Sequence, residues 1–358
     1  MAAHSPGKGF RFNLATTNGN TINVAVVGCG YWGVNYVRVF DELPNSHVVA
    51  VCDVRRERLD WVRSRHKSVG IYADLDDMLN SMQVDALVVS TAATSHYPIA
   101  RRCLERGKHV LLEKPLTISV ADGEALVELA SSTELTLMVG HTFLYNDAIR
   151  RMKEFIHHTD FGRAYYLHAT RTNLGPIRND VNALWDLAPH DVAIFNYLLD
   201  SHPLRVSAVG NRLLGNDRED VGFVTLTYPE GIIANIHVSW ADPNKVREVV
   251  AVGSRQRVVF DDLNNLERVR IFEKGVCPAE QEADSFGEFR FLLRDGAIIS
   301  PKIEVREPLK NQCSQFLDCI RSGEQPLSDA RSGLQVVKVM VAIQRSLGLD
   351  GAPVEVLP

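Results

Sequence analysis

At 358 residues the chain is longer than one ordinary core, and at roughly 150 residues per domain two domains are expected. With 45% hydrophobic and 23% charged residues the composition is globular, and no stretch approaches the ~20 apolar residues that cross a bilayer, so no membrane partner is expected. A net charge of −5 without a basic block argues against nucleic acid, and the six cysteines, lacking any CxxC pair, read as reduced thiols and not as a metal site.

Residues 1–20 are polar and Gly-rich and lack the apolar centre of a secretory signal, so they read as a flexible extension and the expected location is cytoplasmic. Ile22–Val27 is a β-branched apolar run of the kind buried on both faces of a parallel sheet. It runs into Gly28-Cys29-Gly30-Tyr31-Trp32-Gly33, which fits GxGxxG, and then into a helical segment that ends near Pro44. In that order Gly28 permits the tight turn, Gly30 lets backbone amides approach a pyrophosphate, and Gly33 lets the helix pack on the strand. A second strand, His47–Cys52, ends in Asp53, twenty residues beyond Gly33, where a carboxylate is expected to hold the adenosine ribose and to favour NAD. Arg55 and Arg56 follow at once and keep NADP open as the alternative cofactor.

Asp85–Ser90 reads as another buried strand, followed by a small-residue loop to His96 and a helix from Pro98 to Arg106 that Gly107 ends. His109–Leu112 is the next strand and leads into Glu113-Lys114-Pro115. Strands alternating with helices predict a doubly wound α/β Rossmann domain, assigned to residues 21–142, with ligands beyond the carboxyl ends of its strands. After a helix around Ala148–His157, strands are expected at Ala164–Asn173, Val221–Tyr228, Ile232–Trp240, Arg247–Val252 and Gln256–Asp261. Helices over Cys313–Arg321 and Leu334–Leu347 stop at Gly323 and Gly348. Residues 143–358 therefore read as an α+β domain with a mostly antiparallel sheet, for substrate binding and oligomerisation.

Taken together, Gly28–Gly33, Asp53, the Thr91–His96 loop, Glu113-Lys114-Pro115 and Asp186-x-x-x-His190 resemble the glucose-fructose oxidoreductase, inositol dehydrogenase and MocA family, from about Ile22 to the C-terminus. The resemblance implies one large open sheet with helices on one face, the other face serving a homodimer or homotetramer. It implies cofactor contacts from Gly28, Cys29, Gly30, Tyr31, Trp32, Gly33, Asp53, Val54, Arg55, Thr91, Ala92, Thr94, His96, Glu113, Lys114 and Pro115, with a cis peptide before Pro115. It places Lys114 beside the nicotinamide and turns Asp186 and His190 toward a substrate hydroxyl.

The chemistry of alcohol oxidation agrees with those roles, because hydride leaves carbon while a neighbouring group takes the proton from oxygen. His190 is the expected base; it follows Pro189 at the expected start of a helix through Leu199, where the helix dipole favours neutral imidazole. Lys114 is expected to stabilise developing alkoxide charge, and Asp186 to hold its partners. Singly, each has a bland reading as a cap or a solvated charge, and the conjunction outweighs it. The chain departs from many relatives at Asn182–His190, where glycines are common, and at Asn146, where proline is frequent; Tyr145 is accordingly a weak substrate candidate.

Within the family the chain looks most like the branch that oxidises nucleotide-linked amino sugars at C3, such as UDP-N-acetylglucosamine or its uronate. Arg171 and Arg178 could then pair with diphosphate or uronate oxygens, and Asn173 with ring hydroxyls. The alternatives are a dehydrogenase of free sugars, sugar acids or inositols, and a dinucleotide-binding regulator without turnover, against which the presence of both Lys114 and His190 speaks.

Overall fold

In a computed structural model the described residues are 21–175, 177–178, 180–215, 217–278 and 291–357. The extension expected at residues 1–20 lies outside them. The N-terminal half alternates strand and helix: β1 (Ile22–Val27), α1 (Tyr31–Glu42), β2 (Ser46–Cys52), α2 (Arg56–Arg65), β3 (Gly70–Tyr72), α3 (Leu75–Ser81), β4 (Ala86–Val89), α4 (His96–Glu105), β5 (His109–Glu113), α5 (Val120–Ser132) and β6 (Leu137–Gly140). The six strands form one parallel sheet in the order β3-β2-β1-β4-β5-β6. β1, β4 and β5 sit in its middle, which is why they read as unbroken apolar runs: Val24, Val26, Val88 and Leu111 are fully buried. The loops after β1, β2, β4, β5 and β6 open on one edge, and that edge carries Gly28, Asp53, Thr91, Lys114 and His141.

The remainder begins with α6 (Asp147–Ile156), β7 (Ala164–Thr172), α7 (Ala183–Leu199), β8 (Arg205–Asn211), β9 (Val221–Thr227), β10 (Ile233–Ser239), β11 (Val246–Gly253), β12 (Arg257–Asp261) and β13 (Val269–Phe272). It ends with β14 (Gly275–Pro278), β15 (Phe291–Arg294), β16 (Ile298–Ile299), α8 (Pro308–Ser322), α9 (Ala330–Leu347) and β17 (Val354–Glu355). Nine of these strands form a sheet in the order β16-β13-β12-β11-β7-β10-β9-β8-β17. It is antiparallel throughout except where β10 runs parallel to β7, a pairing that closely spaced strands alone would not predict, since it needs a crossover. Alternate residues of β7 and β9 are buried beneath α7, as a sheet covered on one face requires.

Helix α7 departs from the sequence reading. It starts at Ala183, six residues before Pro189, because the Asn182 side chain accepts from the Trp185 amide at 2.9 Å and caps it. Pro189 is therefore interior and removes only the bond to the Trp185 carbonyl. The last helices return to the first half: α8 lies against α1 and α9 against α5. The Ser328 hydroxyl donates to the Val139 carbonyl at 2.6 Å, while the Val139 amide donates to Ser328 at 2.8 Å.

A candidate dinucleotide and alcohol site

The glycine loop is shaped by contacts that admit no side chain. Gly28 has φ +89°, and its amide donates to the Cys52 carbonyl at 2.7 Å, fastening the turn to the end of β2. A Cβ on Gly33 would lie 1.8 Å from the Gly28 carbonyl oxygen, so only glycine lets α1 begin this close to β1. Above Gly30 the space is open, a Cβ there meeting only Arg55 at 3.7 Å. Helix α1 has no side-chain cap, which leaves its first amides free to bind an anion. Tyr31 is exposed and Trp32 partly so, whereas the Cys29 thiol is buried and offers the site only its backbone.

Asp53 is 6% exposed and accepts from the Cys29 amide at 2.6 Å and the Arg55 amide at 2.8 Å. The Arg55 guanidinium also reaches both of its oxygens at 3.2 Å. Burial alone would raise this carboxyl, but the bonds from Arg55 and the Cys29 amide outweigh it and hold it below the usual range, in the ionised form that can accept from a hydroxyl. Val54 beside it is fully open to solvent. After β4, Thr91, Ala92 and Thr94 lie on the same edge, and the Ser90 hydroxyl donates to the Gly28 carbonyl at 2.8 Å. The glycines, Asp53 and this loop thus form a cradle that fits a dinucleotide.

Two residues expected at the cofactor stand behind it instead. His96 is 1% exposed; its Nδ1 lies 2.8 Å from the Pro115 carbonyl and its Nε2 3.2 Å from the Thr91 carbonyl, so it ties the two crevice loops together. Glu113 is buried, with Tyr36 donating to it at 2.6 Å, and points into the core between β5 and α1.

The Lys114–Pro115 peptide is cis. The Lys114 ammonium donates to the Asp186 backbone carbonyl at 2.7 Å and lies 3.5 Å from its carboxylate. That carboxylate also accepts from Arg178 at 3.1 Å and from the Trp240 indole at 3.3 Å. One turn on, His190 packs edge-on against Phe143, with its Nδ1 buried and without a partner among the described residues. Its imidazole is pushed well below the ordinary histidine range, first by burial, then by Lys114, Arg171, His141 and Arg247. The imidazole is neutral, as the sequence reading requires, but desolvation and cations are the cause; a residue in the second turn of α7 lies beyond the reach of the helix terminus. His141, at the end of β6, is 2% exposed and pushed down to about 3 by burial and by Lys114.

The substrate candidates divide. Arg178 joins the Lys114–Asp186 cluster and also pairs with Asp180. Arg171 does not reach the crevice: at 4% exposed it grips Asp191 with two bonds of 2.9 and 2.7 Å and stacks over Phe143, building the wall behind His190. Tyr145 is fully buried, its hydroxyl engaged by Gln315 at 2.8 Å and Ser328 at 3.0 Å, and belongs to the core. Asn173 continues β7 through its amide, which bonds to Ser239 at 3.1 Å. Sequence reasoning missed Trp240 and Arg247. Arg247 pairs directly across the sheet with Arg171 and therefore faces α7 as well. Arg171 is held by two bonds to Asp191, whereas among the described residues Arg247 makes a 3.4 Å side-chain contact with Asp262 and stays 39% exposed. No local motif marks either residue, since each acquires its role from a strand pairing.

Residues 22–141 match the model described as the oxidoreductase family, NAD-binding Rossmann fold, and residues 149–259 match the GFO/IDH/MocA C-terminal domain. The chain is 25% identical to UDP-N-acetylglucosamine 3-dehydrogenase of Acidithiobacillus ferrooxidans, over 91% of this chain and 98% of that protein. It is 21% identical to myo-inositol 2-dehydrogenase of Thermotoga maritima, over 91% and 96% respectively. Among solved structures, GenD2 from gentamicin A biosynthesis, in complex with NAD, superposes with a TM-score of 0.80 at 25% identity, covering 95% of this chain and 97% of that one. With both halves matched in order and the glycine cradle, Asp53 and Lys114 on one sheet edge, the chain belongs to the Gfo/Idh/MocA family of NAD-dependent oxidoreductases.

Proposed function

We propose that the protein transfers hydride between the nicotinamide and a secondary alcohol of an anionic sugar, with C3 of UDP-N-acetylglucosamine or its uronate as the leading candidate. The observation that carries the reading is the Lys114 ammonium anchored at 2.7 Å on the Asp186 carbonyl, one helical turn from His190. NAD, which Gly28–Gly33 and Asp53 would hold, would supply the hydride acceptor. His190 takes the hydroxyl proton at Nε2, which its neutral state allows. Lys114 donates to the oxygen as negative charge grows there, and Asp186, braced by Arg178 and Trp240, fixes the ammonium's direction. Arg178 and Arg247 supply cations for a diphosphate or carboxylate, in place of the Arg171 expected from sequence.

The uncovered face of the nine-stranded sheet supports a homodimer or homotetramer. It exposes Tyr166, Phe223 and Ile233, with His237 stacked on Phe223 at 4.4 Å.

The test of substrate class is turnover with NAD and with NADP against a panel of UDP-sugars, sugar acids, free sugars and inositols. Reduction of NAD with a nucleotide sugar supports the reading. Turnover confined to free sugars, sugar acids or inositols would replace it with that alternative, whose inositol-type member the Thermotoga maritima relative represents at similar identity.

A further inference from the structure

Behind Lys114 runs a relay of buried polar groups that the mechanism has not used. Gln312 on α8 donates from Nε2 to the Tyr36 hydroxyl at 3.0 Å, and Tyr36 on α1 donates to Glu113 Oε1 at 2.6 Å. Glu113 Oε2 in turn accepts the backbone N–H of Lys114 at 3.1 Å. Tyr36 and Gln312 are 0% exposed and Glu113 7%, so water replaces none of these bonds. The order of donors is forced. Both carboxylate oxygens accept, and with the phenol proton committed to Glu113, the phenol oxygen can only accept from Gln312. The carboxylate also lies against Gly140, where a Cβ would stand 3.2 Å from its Oε1, so the end of β6 is shaped to admit it.

We infer that Tyr36 and Gln312 are positioning residues for Lys114: they hold the Glu113 carboxylate, which holds the backbone from which the catalytic ammonium projects. The inference rests on the reading of Lys114 given above. It gives α8 a role in the alcohol site through Tyr36 on α1. A buried carboxylate with two donors is a rigid anchor; with one it is an unsatisfied charge that takes up a proton and lets go of the strand end.

The groups facing Glu113 are Tyr36 from α1, Cys313 from α8 and Lys114 beside it. Burial raises the Glu113 carboxyl, and the Tyr36 bond and Lys114 oppose that rise. Loss of the phenol hydroxyl raises it further, so Glu113 protonates at a higher pH and activity is lost from the acid side.

The experiment compares Tyr36→Phe, Gln312→Leu, Glu113→Gln, the Tyr36→Phe/Glu113→Gln double variant and Lys114→Met in the full chain, reading kcat, KM for NAD, the pH profile and thermal midpoint. Tyr36→Phe should lower kcat about tenfold, with KM for NAD within about twofold, and shift the acid limb of kcat to higher pH. Gln312→Leu should do the same to a smaller degree. Glu113→Gln should flatten that limb, and adding it to Tyr36→Phe should cost nothing more. If Lys114→Met is nearly inactive while Tyr36→Phe keeps wild-type kcat and pH profile, the relay has no positioning role. A lowered thermal midpoint with an unmoved pH profile would likewise reduce it to packing. If Lys114→Met itself turns over normally, it is the reading of Lys114 that fails.

Discussion

Replacing Lys114 with methionine keeps the volume of the side chain and removes its charge and donor. The Lys114 side chain is 12% exposed and its ammonium lies 2.7 Å from the Asp186 carbonyl, so the methionine leaves that position without its donor. Losing one preorganised donor to a developing oxyanion costs about 2.7–4 kcal/mol, or ~10²–10³ in kcat. The glycine loop and Asp53 are untouched, so affinity for NAD should change by less than about threefold, under ~1 kcal/mol.

A second signature follows from His190. Its imidazole is depressed first by burial and next by Lys114, the foremost of its charged causes. Without that cation the imidazole rises toward its ordinary value and is protonated at a higher pH. Since only the neutral ring accepts a proton, the residual kcat/KM of the variant should fall toward acid pH over a range in which the parent is flat. The assay is initial-rate formation of reduced nicotinamide across pH, with cofactor binding followed by protein fluorescence. A variant within about tenfold of wild type, or one with an unchanged pH profile, would refute the assignment.

Asp53→Ala removes the proposed ribose acceptor and frees Arg55, whose guanidinium then suits a phosphate; KM for NAD should rise at least about tenfold, with the preference moving toward NADP. Unchanged preference in kinetics with both cofactors would end that role. Gly33→Ala places a Cβ 1.8 Å from a backbone oxygen, so cofactor binding measured by calorimetry should be lost or the protein should fail to fold. Tyr145→Ala should cost about 3–5 kcal/mol of stability in urea unfolding, while Tyr145→Phe leaves KM for the alcohol unchanged; a raised KM in the phenylalanine variant would return Tyr145 to the substrate. Arg247→Gln should raise KM for an anionic sugar severalfold and spare neutral polyols, and equal effects on both would remove its proposed role.

What the sequence disclosed was local. The spacing from Gly28 to Asp53 lies within one strand–helix–strand unit, so both ends of the cradle were legible, as was the buried character of β1, β2, β4 and β5. The strands β7, β9, β10, β11 and β12 were bounded to within a residue or two by their turn residues. The start of α7 was missed because Pro189 was read as a first-turn proline, although Asn182 carries the cap that moves the start upstream. Glu113, Tyr36 and Gln312 meet across separations of 77 and 276 residues, and Arg171 meets Asp191 across a strand and a helix. No spacing announces such contacts. Charged residues near a motif were therefore assigned to ligands when the fold uses them on one another.

The proposed hydride transfer requires Lys114 and His190 to act on one oxygen. Its most direct measurement is a crystal structure of the Lys114→Met protein with NAD and the alcohol that turns over, set beside the wild-type complex with reduced cofactor and the same alcohol. In the wild-type complex Lys114 Nζ and His190 Nε2 should both lie within about 3.2 Å of a single hydroxyl oxygen, and in the variant His190 alone should keep that contact. An alcohol bound with its reacting hydroxyl away from either side chain would contradict it.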